Sequence, residues 1–189
     1  MNASANIQHL HWRAGFGLSP KQWQERQDWS ILKSVDALFQ EANFAQQQLQ
    51  KASFDSSLEK RKKELSQQEQ ATLREEQKRL VYLQNIDWLI AMGKAEGGDL
   101  LHKMTLFWHG HFACTSKTGR VAFNQLLALK KHALGNFRDL VIAIAKDPAM
   151  IRFLNNQQNR KNSPNENFAR ELMELFTIGR GHYTEQDVK

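Results

Sequence analysis

Three short segments carry residue types that do chemistry. The first is His102-Lys-Met-Thr-Leu-Phe-Trp-His-Gly-His111. On a helix, His102 and His109 share a face. His109 and His111 flank Gly110, where that helix is expected to end. A His-x-His pair at a helix end can offer two imidazoles to one metal, or one base beside one anion donor. The alternative is that these rings bond within an aromatic core beside Phe107, Trp108 and Phe112. The second segment is Asn165-Glu-Asn-Phe-Ala-Arg-Glu-Leu-Met-Glu-Leu-Phe176. Asn167, Glu171 and Glu174 recur at i, i+4 and i+7, a polar stripe bordering the apolar face of Phe168, Leu172, Leu175 and Phe176. Paired carboxylates on one stripe can bind a divalent cation or share acid–base work. The plainer reading is an amphipathic helix on which Arg170 pairs with Glu174. The third segment, Arg13-Ala-Gly-Phe-Gly17, precedes a helix start and could cradle an anion, or be a tight helix–helix turn.

These residues must be held by helices. All three prolines follow a capping residue, as Ser19-Pro20, Asp147-Pro148 and Ser163-Pro164. Proline is favoured at the first helical position because its missing N–H would have no partner there. Ser19 with Gln22, and Ser163 with Glu166, read as capping boxes. Asn136 with Asp139 is a further start signal, Gly97-Gly98 a stop, and Asp99 the cap of the next helix. Thr184 and Asp187 resemble another cap and its third helical residue. No sustained period-2 alternation is present, so strands are not expected. Helices are expected over 6–13, 20–27, 30–43, 57–95, 99–109, 120–134, 137–146, 148–155 and 164–178. The fold class is therefore all-α, an irregular multi-helix bundle.

Residues 45–85 differ from the rest in being rich in Gln, Glu, Lys and Arg. Leu58, Leu65, Leu73 and Leu80 recur at near-heptad spacing, a narrow coiled-coil-like stripe. They predict a long polar arm, paired with a second helix from about Asn43 to Phe54. The chain is read as one helical domain over 1–189, with 45–80 as the arm or insertion. It is also read as the N-terminal part of something longer.

The length of 189 residues suffices for one core, and 41% of residues are hydrophobic. No apolar run is long enough to span a bilayer, and Met1–Leu10 lacks the basic and apolar blocks of a secretion signal. The single cysteine, Cys114, cannot form an internal disulfide. These features favour a cytoplasmic location. The net charge of +6 is spread along the chain, with Lys60-Arg61-Lys62-Lys63 as its dense run between Glu59 and Glu64. That pattern suits a solvated helix face, and nucleic-acid binding is expected to be weak and non-specific.

Taken together, His11-Trp-Arg-Ala-Gly-Phe-Gly-Leu-Ser-Pro20, Lys103-Met-Thr-Leu-Phe-Trp-His-Gly-His-Phe112, Asn167-Phe-Ala-Arg-Glu-Leu-Met-Glu-Leu-Phe-Thr-Ile-Gly179 and Gly181-His-Tyr-Thr-Glu185 resemble the bacterial domain-of-unknown-function family 1800. The resemblance runs from near residue 9 to the last residue, with the polar arm as the variable part. It implies no established activity. It does imply a longer protein that continues past the Tyr-Thr-Glu segment. Many members carry a secretion signal, and none is expected from the residues Met1–Leu10.

Two functions fit. One is a hydrolase or transferase in which His109, His111, Glu171 and Glu174 meet in a cleft, with a divalent metal as a candidate cofactor. Arg13 or Arg170 would then hold an anionic substrate group, and Asn167 would support the stripe. Glu171 should in that case be mostly buried, with a histidine or arginine in hydrogen-bonding reach. The other is a non-enzymatic scaffold or adaptor that binds a partner protein through its basic arm, with the histidines and carboxylates as a polar lock.

Overall fold

Serine, asparagine and aspartate side chains start several of the helices, as their local chemistry requires. Ser19 Oγ accepts the N–H of Gln22 at 3.3 Å while Gln22 Oε1 accepts that of Ser19 at 2.9 Å, a closed capping box. Asn136 Oδ1 accepts from Arg138 N at 2.8 Å, and Asp147 Oδ1 from Ala149 N at 2.8 Å. The structure, a computed structural model, describes residues 3–49, 65–94, 97–115, 119–161 and 165–188. In order the helices are α1 (Ala3–Ala14), α2 (Pro20–Arg26), α3 (Ile31–Leu49), α4 (Gln67–Lys94), α5 (Asp99–His111), α6 (Gly119–His132), α7 (Phe137–Ala145) and α8 (Pro148–Phe153). After a 3₁₀ turn at Asn156–Gln158 come α9 (Asn167–Glu171), a π-helical segment (Leu172–Thr177) and α10 (Glu185–Val188). The protein is all-α, with no strand among the described residues. None of the described helices is long and apolar enough to cross a membrane.

The chain forms two compact units, Met1–Met104 and Thr105–Lys189. In the first, α1 packs on α3. Ser34, Leu38 and Ala42 recur every four residues and form the buried face of α3. Ile7 and His11 from α1, Trp88 and Met92 from α4, and Leu101 from α5 are buried in this unit too. In the second, α6 packs against α7 and α8. Phe112, Leu129, Leu140, Ile144, Met150, Leu154 and Phe176 close its core.

Five local expectations are corrected. The long helix begins at Gln67 rather than near 57, because Ser66 and Glu69 form a capping box: Glu69 Oε2 accepts Ser66 N at 2.8 Å, and Ser66 Oγ accepts Glu69 N at 3.4 Å. Leu58 and the run Lys60–Lys63 lie outside the described residues. No separate helix starts at Asn43, since Asn43–Leu49 completes α3; residues 50–54 lie outside the described residues. Asp99 does not cap α5. It is the first helical residue, and Gly98 holds the cap position, with its carbonyl accepting from His102 N at 3.0 Å. That helix also runs through Gly110 to His111.

The fifth correction bears on the site. Residues 164–178 are not one α-helix. Ser163 and Pro164 lie outside the described residues, and Asn165 Oδ1 accepts Asn167 N at 3.1 Å where α9 begins. Five residues later the helix widens into a π segment, whose end is closed by Ile178 N and Gly179 N, both donating to Met173 O. Thr177 Oγ1 also donates to Leu172 O, five residues back, at 2.9 Å. A π segment inserts an extra residue per turn and rotates the side chains within it.

Candidate functional site

In the second unit, His111 stands at the end of α5 inside an aromatic cluster. Its ring stacks near-parallel to Phe107, with centroids 6.2 Å apart, and meets Trp108, Phe112 and Phe176 edge-on. Nε2 lies 2.8 Å from the carbonyl oxygen of Phe176. A carbonyl can only accept, so Nε2 carries the proton and donates it. His111 thus ties the end of α5 to the π segment. His109 is exposed two residues earlier, about half a turn round α5. His102, in the first unit, accepts the indole N–H of Trp88 on Nδ1 at 3.1 Å.

The carboxylates behave differently from one another. Glu171 is half-buried and makes no hydrogen bond or ion pair with a described residue, contrary to the expected pairing. Glu174 is held from two sides: Arg180 Nε donates to Oε2 at 2.9 Å, and the Tyr183 hydroxyl donates to Oε1. Arg170 does not pair with Glu174. It forks onto Glu185, Nη1 to Oε1 at 3.0 Å and Nη2 to Oε2 at 2.9 Å, and reaches Glu166 at 3.5 Å. The Tyr183 hydroxyl also meets Arg170, so one phenol joins the two halves of the network. Within the π segment Glu174 has rotated away from its α-helical position, and the turn through Gly179 and Gly181 brings Arg180 and Tyr183 back to it. Asn167 Nδ2 donates to Leu154 O at 3.2 Å. No group of three or more His, Cys, Asp or Glu is placed to hold a metal ion among the described residues.

The hydroxyl of Tyr183, then the guanidinium of Arg180, hold the Glu174 carboxyl below the usual carboxylate range. A depressed carboxyl contributes stability above its unfolded pKa and loses it as pH falls through the folded one. In Tyr183→Phe that loss should begin at a higher pH, nearer the ordinary glutamate value. Carboxyl ¹³C titration by NMR reads this directly. An unchanged Glu174 titration would mean that the phenol contributes nothing.

In the first unit, Arg13 is exposed. The adjoining turn is a poor anion cradle. Gly17 N already donates to His11 O at 3.2 Å, and the Ser19 and Gln22 amides close the capping box. What sequence reasoning missed lies directly behind it. His11, Ser34 and Asp99 are all less than 5% exposed. Beside them Arg26 Nη2 pairs with Glu41 Oε1 at 2.7 Å. His11 Nε2, Ser34 Oγ, Asp99 Oδ1 and Arg26 Nε are buried without a hydrogen-bond partner among the described residues. Burial, and then Glu41, push the Asp99 carboxyl up to about 6, with Arg26 opposing. Burial, and then Arg26, lower the His11 imidazole, with Glu41 opposing. Gly15 makes the close approach possible, since a Cβ there would sit 2.9 Å from Asp99 Cβ and 3.1 Å from His11 O. The sequence signals were faint. His11 follows Ile7 by one turn on α1, and an aspartate after two glycines reads as an exposed cap.

Comparison with known proteins gives no match among curated proteins and none among solved structures. A family model does match, over residues 9–189, and so takes in all the segments quoted above. With nearly the whole chain covered, the protein belongs to the family described as protein of unknown function (DUF1800).

Proposed function

We propose that this chain is a helical adaptor that binds a partner protein, rather than a hydrolase or transferase. The observation that carries the reading is an apolar face left open on α4. Tyr82, Leu83, Leu89 and Ile90 are between 43% and 64% exposed, while Trp88 and Met92 on the other side are buried. Tyr82 and Leu89, like Leu83 and Ile90, are seven residues apart, the repeat with which one helix receives another. Covering such half-exposed side chains contributes on the order of 1 kcal/mol each. The occupant that this spacing suits is an amphipathic helix of the partner. The face lies at 82–90 rather than in the 45–80 arm. The described part of the arm is polar and mixed in charge, as in the ion pair of Lys78 with Glu75.

The polar residues support the same reading. His111, Glu174, Arg170 and Asn167 each bond within the chain. They behave as a lock around the π segment. An enzyme would need His109 and Glu171 turned towards a common substrate.

A photo-crosslinking residue placed at Leu83 or Ile90 in the producing cell tests the reading. Both positions should give the same discrete heavier species, and Glu75, on the polar part of α4, should not. Absence of the species at both positions, or an equal yield at Glu75, would return the enzyme reading to first place.

A further inference from the structure

Five tryptophans are present, and three have a structural partner within the first or second unit. Trp88 Nε1 donates to His102, and Trp108 Nε1 donates to Ala133 O at 3.0 Å. Trp29 is covered by the cations of Arg26 and Lys33. The other two, Trp12 and Trp23, line a pocket of about 110 Å³ together with Gln8 and Leu18. Trp12 is 57% exposed, an unusual state for an indole. Among the described residues, neither indole N–H and neither end of the Gln8 amide has a hydrogen-bond partner.

The ring of Trp12 is nevertheless held. Gly17 has φ +104°, and a Cβ there would lie 3.1 Å from Cδ1 and 3.2 Å from Nε1 of Trp12. The indole therefore rests against bare backbone, in a turn that only glycine enters easily. Leu18 follows directly, and the Ser19 capping box fixes α2, which carries Trp23. Chain geometry thus presents two indoles and one amide around a small opening.

We infer that this pocket takes a proline of an extended, proline-rich segment of another protein. The argument is one of hydrogen-bond polarity. Both indoles donate and cannot accept, so Gln8 Oε1 is the single side-chain acceptor in the lining. A fitting ligand is rich in acceptors, poor in donors, and apolar in its rings. A polyproline helix meets all three conditions: each residue supplies a carbonyl, none supplies an N–H, and the ring packs on aromatic faces. Its preformed backbone also loses little entropy on binding. A sugar would bring a hydroxyl donor for every acceptor, with almost nothing to receive them. The lining holds no carboxylate to favour a cation and no cation to favour an anion.

This inference goes beyond the adaptor reading, because the pocket belongs to α1 and α2 and not to the α4 face. The test is a titration of the full chain with a blocked polyproline peptide, read on the indole ¹H–¹⁵N signals. Those of Trp12 and Trp23 should move and saturate while those of Trp29, Trp88 and Trp108 stay. Trp12→Ala should weaken binding by about tenfold or more, the scale of one anchor residue. Trp12→Phe, which keeps a ring but loses the donor, should fall between. The three remote indole signals report that each variant is folded. No movement at millimolar peptide overturns the proposal. So does binding that survives Trp12→Ala, or saturation by a neutral glucan oligosaccharide or by choline in place of the peptide. Any of these leaves the crosslinking at Leu83 and Ile90 unaffected.

Discussion

Phe112→Ala should destabilise the second unit by about 3–5 kcal/mol, the usual range for removing a fully buried phenylalanine. Phe112 is 1% exposed and belongs to the core with Leu129, Leu140, Ile144, Met150, Leu154 and Phe176. Its ring lies 5.9 Å from that of Trp108, 4.8 Å from that of His111 and 5.7 Å from that of Phe176. Leu129, Ile144 and Met150 have no exposed surface at all, so the walls have little freedom to collapse into the void. Total stabilities of about 5–15 kcal/mol are ordinary, and this loss would be a large part of one. The internal control is Phe107→Ala, on α5 a little over one turn before Phe112. Phe107 is 56% exposed, although its ring meets Trp108 edge-on, and the expected cost is below about 1 kcal/mol. Urea unfolding followed by the indole ¹H–¹⁵N signal of Trp108 measures both. Similar midpoints for the two variants would show that the Phe112 ring does not carry the packing of this core.

Where a structural feature rests on neighbours in sequence, the sequence displays it. Ser19, Asn136, Asp147 and Thr184 were readable as caps because a cap bonds within three residues, and each does so. Ser66 carries the same signature with Glu69, yet the leucine spacing through Leu58 and Leu65 drew the helix start too early. A heptad-like stripe is a statement about packing and has no force over a local stop. The π segment left no such mark. The Thr177 bond to Leu172 O and the left-handed backbone of Gly179 accompany it, and either residue would serve equally well after an α-helix. Hence Arg170 and Glu174 looked like partners, at the right spacing for a helix that does not continue. The cluster around Asp99 was less legible still. His11, Arg26, Ser34, Glu41 and Asp99 come from α1, α2, α3 and α5, and only the packing of those helices makes them neighbours. A sequence shows that an aspartate follows two glycines; it does not show that glycine at position 15 lets a second backbone close over it.

Asp99→Asn should stabilise the protein at alkaline pH, against the common result that replacing a buried charged residue does harm. The carboxyl is 4% exposed, Oδ1 has no partner among the described residues, and Glu41 adds a second negative charge nearby. A carboxyl raised to about 6 from 3.8 binds its proton more tightly in the folded state than in the unfolded one. Stability from this group is therefore full at low pH, where both states hold the proton. It declines as pH rises from about 4 and is lost once pH passes about 6. The interval between those two values corresponds to roughly 3 kcal/mol at most, since one pKa unit is about 1.4 kcal/mol. Asparagine keeps the shape without the charge, so near pH 8 the variant should gain on the order of 1–3 kcal/mol. Between about pH 6 and pH 4 that gain should disappear. His11 has the opposite slope. Its imidazole is lowered, so folding disfavours its protonated form and stability falls as pH drops below the ordinary histidine value of 6.5. Both proteins carry His11, and their difference isolates Asp99. Paired urea melts at about pH 4.5, 6 and 8 decide the matter. A variant less stable than the wild type at pH 8 would mean that the Asp99 charge is matched by Arg26 after all, and that the cluster holds a true ion pair.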